Sequence, residues 1–392
     1  MAMPHKPFSA EKRLSNPATN VLLALGWYYP ELHRGVARFA RDHRWHVTFD
    51  FDDMVPHDWR GDGVITLLGA QQQLWEKLRQ FDVPIVDLSE SRPDIALPRV
   101  TMDNAAIGRM AAEHFLDRGF RHFAFVHRWE LGVSCRRRDA FVAGLALHDR
   151  HCQVLCWQLQ RGDRSDSRVQ RHRWLTQQLI KLPKPLALFV PRDIEAVEVI
   201  EAAMAINAIV PDEISVLSVD NIEIICDCLQ TPLSSIDSNL EQVGYEGAAL
   251  LARLLAGEQA PDEPAYIAPN QVIERRSTDA LAVNHPEVAA ALRYMQDNAH
   301  RSINMVDVFH ATAMSRSGLE KAFRENYVRP PMEELRQIRL RRAKRMLLQT
   351  DDKIANIAKE VGFETSQNFC RIFRHATGMT PRQFRLQGRT AS

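Results

Sequence analysis

Residues 353–385 read KIANIAKEVGFETSQNFCRIFRHATGMTPRQFR, and this stretch decides the fold of the C-terminal quarter of the chain. Its apolar residues first recur at helical spacing, which predicts a short helix with one buried stripe. Gly362 then stands where that helix must end, and Thr365 or Ser366 is a suitable N-cap for a second helix. The pattern predicts a helix-turn-helix with a third helix behind it. The buried stripe of the first helix comprises Ile354, Ile357, Ala358 and Val361.

The second helix of this motif has an apolar face, formed by Phe369, Ile372 and Phe373, and an opposite polar face. Hydrogen-bonding side chains beside arginines on an exposed helix suit contacts with base edges and phosphates. Ordinary amphipathic helices give part of this pattern, but they do not require its full spacing and its Gly-Met-Thr-Pro ending. The predicted DNA-binding face comprises Ser366, Gln367, Asn368, Arg371 and Arg374.

An earlier stretch, INMVDVFHATAMSRSGLEKAFRENY (303–327), repeats the arrangement. Ser315 is a suitable cap for its second helix, whose predicted buried face holds Leu319, Ala322 and Phe323. The predicted stripe of its first helix comprises Val306, Val308, Phe309 and Ala313. The predicted DNA-binding face of its second helix comprises Arg316, Ser317, Glu320, Lys321 and Arg324. For this repeat alone, two ordinary amphipathic helices remain an open alternative.

A long helix over residues 332–350 is predicted between the two motifs. Two helix-turn-helices on such a helix can reach adjacent major grooves ~34 Å apart on one face of DNA. The formal net charge of the chain is +1, but residues from His285 onward carry 19 Lys and Arg against 11 Asp and Glu. A basic C-terminal quarter suits phosphate binding, although charged surfaces are more often simply solvated.

Three motifs in this region belong together. They are the A-x-x-V-G-F step at Ala358–Phe363, the F-x-x-x-F helix at Phe369–Phe373 and the G-M-T-P-x-x-F-R ending at Gly378–Arg385. With them the C-terminal region resembles the AraC/XylS family of transcription regulators. The resemblance implies an all-α double helix-turn-helix domain that binds double-stranded DNA. That family usually carries glycine where Val328 stands here, and valine disfavours a positive φ, so we expect a different local turn.

Residues 20–275 alternate short apolar runs with amphipathic segments, which predicts parallel sheets covered by helices on both faces. A region of this length suits two lobes with a ligand cleft between them, at the carboxyl ends of the strands. Strands are predicted at 20–25, 46–51, 63–68, 84–89, 122–127, 186–191, 214–219 and 233–237. Helices are predicted at 30–44, 74–80, 104–117, 136–147, 168–182, 193–206 and 239–256.

Family-like motifs also occur along this region, in the order V-x-x-D-N-x-x-x-G (100–108), EHFLDRGFRHFAFV (113–126), IVPDEISVLSVDN (209–221) and TPLSSID (231–237). They resemble the inducer-binding domain of the LacI/GalR family, which is akin to periplasmic sugar-binding proteins. The resemblance implies an α/β two-lobed periplasmic-binding-protein-like (type I) sensor domain for a small ligand, usually a sugar. The N-terminal DNA-binding headpiece of that family has no counterpart here, so DNA recognition is expected in the C-terminal domain.

The order of the two modules, joined by VIERRSTD (272–279), resembles activators of sugar catabolism that respond to D-xylose. The resemblance implies a cytoplasmic transcription activator whose effector is D-xylose, with a different sugar as the alternative. Its implied partners are operator DNA, RNA polymerase and a second copy of the chain in a homodimer. The predicted divisions are a flexible tail (1–18), a sugar-sensing domain (19–276), a linker (277–284) and a DNA-binding domain (285–387).

Sugar hydroxyls both donate and accept hydrogen bonds, so sugar sites combine carboxylates, amides and arginines with an aromatic face. Four polar residues fall at the carboxyl ends of predicted strands or in the first turn of the next predicted helix, and they match positions that commonly line the cleft of the LacI-like family. They are Asp103, Arg137, Asp193 and Asp220. Trp27 and Tyr28, directly after the first strand, are candidates for the stacking surface. The three aspartates could instead be helix N-caps, and Arg136 or Arg138 could take the place of Arg137.

The sequence carries no P-loop, no G-x-G-x-x-G and no H-E-x-x-H, and its six cysteines form no C-x-x-C pair. We therefore expect no metal, no cofactor and reduced thiols. No stretch approaches the ~20 apolar residues of a membrane span, and no secretion signal is recognisable. A sugar-processing enzyme and a solute-binding transport protein remain alternatives. The first lacks a recognisable catalytic pair, and the basic C-terminal region favours neither.

Overall fold

The computed structural model of the chain describes residues 19–51, 59–69, 72–280, 285–312, 314–327 and 329–390. The predicted tail (1–18), part of the predicted linker (281–284), Ala313 of the predicted stripe and Val328 lie outside the described residues. By its packing the chain divides into two compact units. The first unit comprises residues 1–101 with 243–265, and the second unit comprises residues 102–242 with 266–392.

The described residues form strands and helices in alternation, followed by helices alone. The strands are β1 (Asn20–Leu25), β2 (His46–Phe51), β3 (Gly63–Leu67), β4 (Ile85–Asp87), β5 (Val100–Met102), β6 (His122–His127), β7 (Cys152–Cys156), β8 (Leu186–Phe189), β9 (Ile214–Val219), β10 (Ser234–Ile236), β11 (Ala265–Ile267) and β12 (Val272–Ile273). The first nine helices are α1 (Pro30–His43), α2 (Gln72–Leu78), α3 (Asn104–Leu116), α4 (Gly132–Ala146), α5 (Trp157–Arg161), α6 (Arg168–Lys181), α7 (Asp193–Ala205), α8 (Glu223–Cys226) and α9 (Leu240–Leu255). They are followed by α10 (Pro286–Asn298), α11 (Met305–Ala311), α12 (Arg316–Asn326), α13 (Pro331–Gln349), α14 (Ile354–Glu360), α15 (Ser366–Thr377) and α16 (Pro381–Thr390). Among all the helices that the structure describes, none is both long and apolar enough to span a lipid bilayer.

The first unit is built on a four-stranded parallel sheet with the strand order β2–β1–β3–β4. All of β3, and β1 from Val21 onward, are buried, which requires cover on both faces of the sheet. Helix α1 buries Leu32, Val36 and Phe39 along one face. From α2, Leu74 and other apolar side chains join the strands in one core cluster.

The α/β part of the second unit contains a six-stranded sheet with the order β12–β10–β9–β8–β6–β7. Every pairing in it is parallel except that of β12, which runs antiparallel to β10. Strands β8 and β9 are buried along their whole length, as expected for the centre of a parallel sheet. Because the parallel strands end at one edge, the residues that follow β8, β9 and β10 are brought together there.

The helical part of the second unit has two apolar cores that share α13. Leu335 and Ile338 of α13 pack in the first core with side chains from α10, α11 and α12. Leu340 and Leu347 of the same helix pack in the second core with side chains from α14 and α15. The prediction of two helix-turn-helix motifs, α11–α12 and α14–α15, is therefore confirmed, with α13 as the connecting helix.

The turn of the second motif lies against the end of α10. Gly362 has a φ of +83°, and a Cβ there would lie 2.3 Å from the carbonyl oxygen of Ala299 and 2.5 Å from that of Arg301. Arg339 of α13 donates to the carbonyl oxygens of Arg301 and Ile303 over 3.0 and 2.8 Å. These contacts, together with α13, fix the orientation of one motif relative to the other.

Each predicted strand is present, although β3, β4, β8 and β10 are shorter than expected. Four further strands, β5, β7, β11 and β12, were not predicted from the sequence. Strand β7 lies at the edge of its sheet and exposes Gln153 and Val154, so it lacks the apolar run of a central strand. The other three comprise two or three residues each, which is too short for a periodic pattern.

The predicted position of Val306 in the buried stripe of α11 is wrong, because this side chain is 57% exposed. A capping box between Asn304 and Asp307 makes the helix begin at Met305. The inward face then comprises Met305, Val308, Phe309 and Thr312. Val306 lies about 100° around the helix from Met305 and points away from the core.

Replacing Gly362 by Ala should destabilise the helical part by about 2–4 kcal/mol, since left-handed backbone strain and a steric clash add. Gly378 provides a matched control, because its φ is +73° but a Cβ there would have open space around it. Gly378→Ala should therefore cost only about 1 kcal/mol. Urea unfolding followed by far-ultraviolet circular dichroism measures both variants. Equal losses would show that the contact with α10 does not constrain the turn.

Candidate functional site

A cluster of buried polar side chains lies at the carboxyl edge of the six-stranded sheet in the second unit. It brings together three of the four polar residues that were predicted to bind the ligand. Arg137 comes from α4, Asp193 is the first residue of α7, and Asp220 directly follows β9. Asp103 immediately precedes α3, next to a residue that contacts Arg137.

Arg137 is the buried member of the arginine triplet, with 1% of its surface exposed. Its Nε donates to Oδ1 of Asn104 over 2.9 Å, and its Nη1 donates to the carbonyl oxygen of Pro191. Its Nη2 lies 3.7 Å from Oδ1 of Asp220. By contrast, Arg138 forms ion pairs with Glu130 and Asp139. Of the three arginines, Arg137 is therefore the one whose side chain lies in the buried cluster. Its role in binding a ligand stays a prediction.

Asp220 adopts an uncommon backbone conformation. Its φ is +102°, which is strained for a residue with a side chain, and such strain is concentrated at functional sites. Its backbone N–H donates to the carbonyl oxygen of Ile236, and its carboxylate accepts from the Ser238 hydroxyl over 3.4 Å. These bonds hold a nearly buried carboxylate beside Arg137 at the edge of the sheet.

The carboxylate of Asp193 is fully buried and joins three parts of the unit. It accepts from the hydroxyls of Ser218 on β9 and Ser235 on β10, the latter over 2.6 Å, and from the N–H of Ile222 over 2.7 Å. Burial, and then the charge of Asp220, raise the pKa of Asp193 to about 6. The N-cap alternative for Asp193 is wrong, because Arg192 occupies that position of α7.

The N-cap alternative is confirmed for Asp103, whose carboxylate accepts from the N–H of Ala106 over 2.8 Å at the start of α3. Arg109 lies 3.9 Å from its other oxygen, at a more exposed position. A capping role leaves the outer carboxylate oxygen accessible. The role of Asp103 in binding a ligand stays a prediction.

Trp27 and Tyr28 lie in the first unit, directly after β1, and both are exposed, by 49% and 41%. The Tyr28 ring packs against Phe49, with 5.2 Å between ring centroids, and its hydroxyl lies 3.3 Å from Nδ1 of His33. Tyr28 is therefore fixed by its neighbours while part of its surface faces solvent. The use of either ring as a stacking surface for a ligand stays a prediction.

Sequence reasoning missed four residues of this cluster, namely Asn104, Ser218, Ser235 and Ser238. Each supports one of the predicted charged groups rather than standing alone. Their signal was present as polar residues within or beside otherwise apolar strands. Which of these polar residues would face the edge of the sheet could not be read from the sequence.

One group of possible metal ligands occurs among the described residues, His127 with Glu130 and Cys156. Nδ1 of His127 lies 3.0 Å from the carbonyl oxygen of Trp129, which leaves Nε2 3.2 Å from the Glu130 carboxylate. Arg138 donates to both oxygens of Glu130, over 2.9 and 3.0 Å. The negative charge of Glu130 is thus already balanced by an arginine, which disfavours a cation there.

The second helix of each motif presents its predicted polar face to solvent. Ser315 caps α12 by accepting from the N–H of Gly318, and Thr365 caps α15 by accepting from that of Asn368. On α12, Arg316, Ser317, Lys321 and Arg324 are exposed and Glu320 is half-buried. On α15, Gln367, Asn368, Arg371 and Arg374 are exposed and Ser366 is half-buried.

The charged groups on these faces are held only by weak surface contacts. Arg316 pairs with Glu320 over 3.0 Å, and Arg371 donates to Oδ1 of Asn368 over 3.1 Å. Exposed pairs of this kind contribute little to stability and can be exchanged for phosphates or base edges. The two helices are therefore suited to entering the major groove, with arginines and amides in position for bidentate contacts.

Comparisons with known proteins match both parts of the chain. A periplasmic binding protein-like domain matches residues 112–278, and a helix-turn-helix domain matches residues 309–387. The chain is 30% identical to the xylose operon regulatory protein of Escherichia coli strain K12 over 341 residues, which cover 84% of each chain. It is 30% identical to the protein of the same name from Haemophilus influenzae over 302 residues, covering 74% of this chain and 75% of that one. A solved structure of the xylose-binding transcription activator XylR is similar with a TM-score of 0.59 and 25% identity, covering 95% of this chain and 99% of that chain.

Replacing Asp193 by Ala should destabilise the second unit by about 3–5 kcal/mol, because three buried donors lose their acceptor. Asp193→Asn, which keeps an acceptor oxygen, is the matched variant and should lose much less. Thermal unfolding of both proteins near neutral pH measures the difference. Similar losses in the two variants would contradict the proposed bonds.

The same pair of proteins tests the raised pKa of Asp193. A carboxyl whose pKa is raised on folding, from 3.8 to about 6, stabilises the fold fully below about pH 4 and loses that contribution as pH rises through 6. Relative to Asp193→Asn, the wild type should therefore lose about 3 kcal/mol of unfolding free energy between pH 4 and pH 7. Parallel pH curves for the two proteins would contradict this.

Replacing Arg371 by Ala should weaken binding to a specific DNA site by about 1–3 kcal/mol and relax base preference at one position. The specific site can be selected from a random duplex pool, and fluorescence anisotropy measures the affinity. Arg293, an exposed arginine on α10 that belongs to neither predicted DNA-binding face, is the matched control. If Arg293→Ala and Arg371→Ala bind equally well, α15 does not contact the bases.

Proposed function

Because this chain belongs to the xylose operon regulatory protein family, we propose that it controls transcription of sugar-catabolism genes in response to a sugar. It is a DNA-binding transcription regulator and not an enzyme, like the relatives that it matches. In this proposal residues 19–276 sense the sugar, residues 277–284 act as a linker, and residues 285–387 bind DNA.

One observation carries the proposal, the presence in one chain of a buried polar cluster and of two exposed basic helices. Arg137, Asp220 and Asn104 offer donors and acceptors in fixed positions at the edge of a parallel sheet. Fixed polar groups of this kind recognise the paired donor and acceptor capacity of sugar hydroxyls. Exposed arginines on α12 and α15 supply the phosphate and base contacts.

D-xylose is the proposed effector. The matched relatives are named for the xylose operon, and the similar solved structure is of a xylose-binding activator. A sugar without an anionic group also suits a cluster in which Arg137 already has Asp220 beside it. Arabinose, ribose and glucose are the alternatives that a direct comparison should include.

The proposed partners follow from an activator that binds DNA. Two helix-turn-helices on one α13 would occupy adjacent major grooves of one operator half-site. A homodimer would bind two such half-sites, and sedimentation of the complex with operator DNA and sugar measures its stoichiometry. Activation would require contact with RNA polymerase in the cytoplasm, where the chromosomal DNA is.

Replacing Asp220 by Asn should abolish the response to sugar while sugar-free DNA affinity stays near normal. Loss of one charge-assisted hydrogen bond should weaken sugar binding about 10- to 100-fold. The experiment is a titration of operator DNA with and without D-xylose, for the wild type and the variant. Asp139, exposed on α4 of the same unit, provides the control Asp139→Asn.

Three results would decide between the roles of Asp220. A variant that responds to D-xylose like the wild type would exclude Asp220 from the sugar site. A variant that loses DNA binding outright would give Asp220 a structural role only. If the wild type responds to another pentose or hexose but not to D-xylose, the proposed regulatory function stands and the proposed effector is wrong.

A further inference from the structure

The end of helix α3 holds the DNA-binding part of the second unit through buried ion pairs. Asp117, at the C-terminus of α3, accepts from Arg329 through Oδ1 and from Arg341 of α13 through Oδ2. Glu334, at the start of α13, lies 3.4 Å from Arg329 and 3.0 Å from Arg341. The backbone carbonyl of Asp117 also accepts from the hydroxyl of Tyr327. We name Asp117, Tyr327, Arg329, Glu334 and Arg341 the docking cluster.

The charges of the docking cluster are balanced and largely removed from water. The Glu334 side chain is 1% exposed and Tyr327 is buried, whereas the side chains of Asp117, Arg329 and Arg341 are 10%, 16% and 36% exposed. Two carboxylates and two guanidiniums alternate in it, so each charge faces an opposite one. A shifted arrangement would leave a buried charge without its partner, which makes one docked position strongly preferred.

Asp117 by itself would be unfavourable at its position. A helix C-terminus carries partial negative charge, and a carboxylate there is repelled unless cations are nearby. Arg329 and Arg341, which both belong to the DNA-binding part, supply those cations. The negative charge of Asp117 in the α/β part is therefore balanced by arginines of the helical part.

The docking cluster also fixes the first DNA-reading helix. Tyr327 is the C-cap residue of α12, and Arg121, just beyond α3, donates to the carbonyl oxygen of Glu325 in that helix over 2.6 Å. The C-terminus of α12 is thus attached to the end of α3 by two side chains. A displacement of α3 would change the direction of the exposed face of α12.

The opposite end of α3 belongs to the candidate sugar site. Asn104, the first residue of α3, accepts from Arg137 over 2.9 Å, and Asp103 caps the helix. The helix comprises 13 residues, so its ends lie about 20 Å apart. Gly108 in its middle lies so close to α4 that a Cβ there would be 2.4 Å from the carbonyl oxygen of Arg137. Such close packing makes α3 and α4 move together.

We propose that α3 is the coupling element of this regulator, with Asn104 at its sugar-sensing end and Asp117 as the attachment point for the DNA-binding part. This proposal rests on the proposed sugar-responsive function and adds the structural path by which sugar binding affects DNA binding. A sugar that moves Arg137 and Asn104 shifts α3, and the docking cluster transfers the shift to α12. The coupling can only be as large as the difference in sugar affinity between the two positions, commonly about 5- to 150-fold in apparent affinity.

The test replaces Asp117 by Asn in the full chain, which keeps the shape of the side chain and removes its charge. Operator affinity is measured with and without D-xylose, and D-xylose binding is measured by calorimetry. We expect the ratio of the two operator affinities to fall at least fivefold toward one, while D-xylose still binds. Hydrogen exchange of the amides at the end of α12 and the start of α13 should accelerate about tenfold, which reports docking without any ligand.

Arg341→Gln, alone and combined with Asp117→Asn, completes a cycle. If both residues act through the docking cluster, the double variant should lose no more of the D-xylose response than the more impaired of the two single variants. Asp139→Asn, an exposed carboxylate on α4, is the control and should keep the wild-type ratio. Should Asp117→Asn not fold, Tyr327→Phe, which removes a single hydroxyl, takes its place in the same measurements.

A variant that keeps the wild-type affinity ratio within twofold would overturn the role of α3. So would unchanged hydrogen exchange at α12 and α13, since the cluster would then not hold the two parts together. A wild type that shows no response to any tested sugar would instead contradict the proposed function. In that case the hydrogen exchange alone still decides whether Asp117 docks the DNA-binding part.

Discussion

The close contact between α3 and α4 at Gly108 is the constraint on which the second unit depends. Only glycine allows the two backbones to approach this closely, because any Cβ would overlap the carbonyl oxygen of Arg137. The approach brings Asn104 to Arg137 at one end of α3. At the other end the same helix carries Asp117 to the DNA-binding part. The contact at Gly108 thus helps to position both ends of α3, Asn104 at the candidate sugar site and Asp117 at the DNA-binding part.

The charged residues of the protein serve in two different physical settings. Arg137, Asp193 and Asp220 are nearly buried, where a charge needs partners at fixed distances, and this gives the cluster a defined geometry. Arg371 and Arg374 are exposed, where weak contacts leave them able to exchange partners. The first setting suits discrimination among small ligands. The second suits a polyanion that is bound through many replaceable contacts.

The two helix-turn-helices keep a defined separation because α13 is part of both apolar cores. Arg339 and Gly362 add a second connection, between the turn of the second motif and the end of α10. The first motif is also attached to the α/β part through Tyr327 and Arg341. Each attachment therefore limits the positions that the neighbouring element can take. A displacement of one motif is expected to displace the other.

The sequence by itself determined the elements and their class. Apolar periodicity, N-caps such as Thr365 and the positive φ of Gly362 depend on neighbours within a few residues, so both motifs and all eight predicted strands were correctly placed. It also indicated Asp220, because a polar residue directly after a buried strand of a parallel sheet lies at the edge where ligands bind. Arg137 was indicated by the family resemblance, and a ligand-binding role for either residue stays a prediction.

Only the tertiary structure decided how those residues are used. The burial of Arg137 rather than its neighbours, the serine partners of Asp193 and the outward position of Val306 depend on which elements pack together. The contact between Asp117 and Tyr327 joins residues 210 positions apart. Local sequence sets backbone preference, but the environment of a charge is set by chain segments that are remote in sequence, and packing alone brings these into contact.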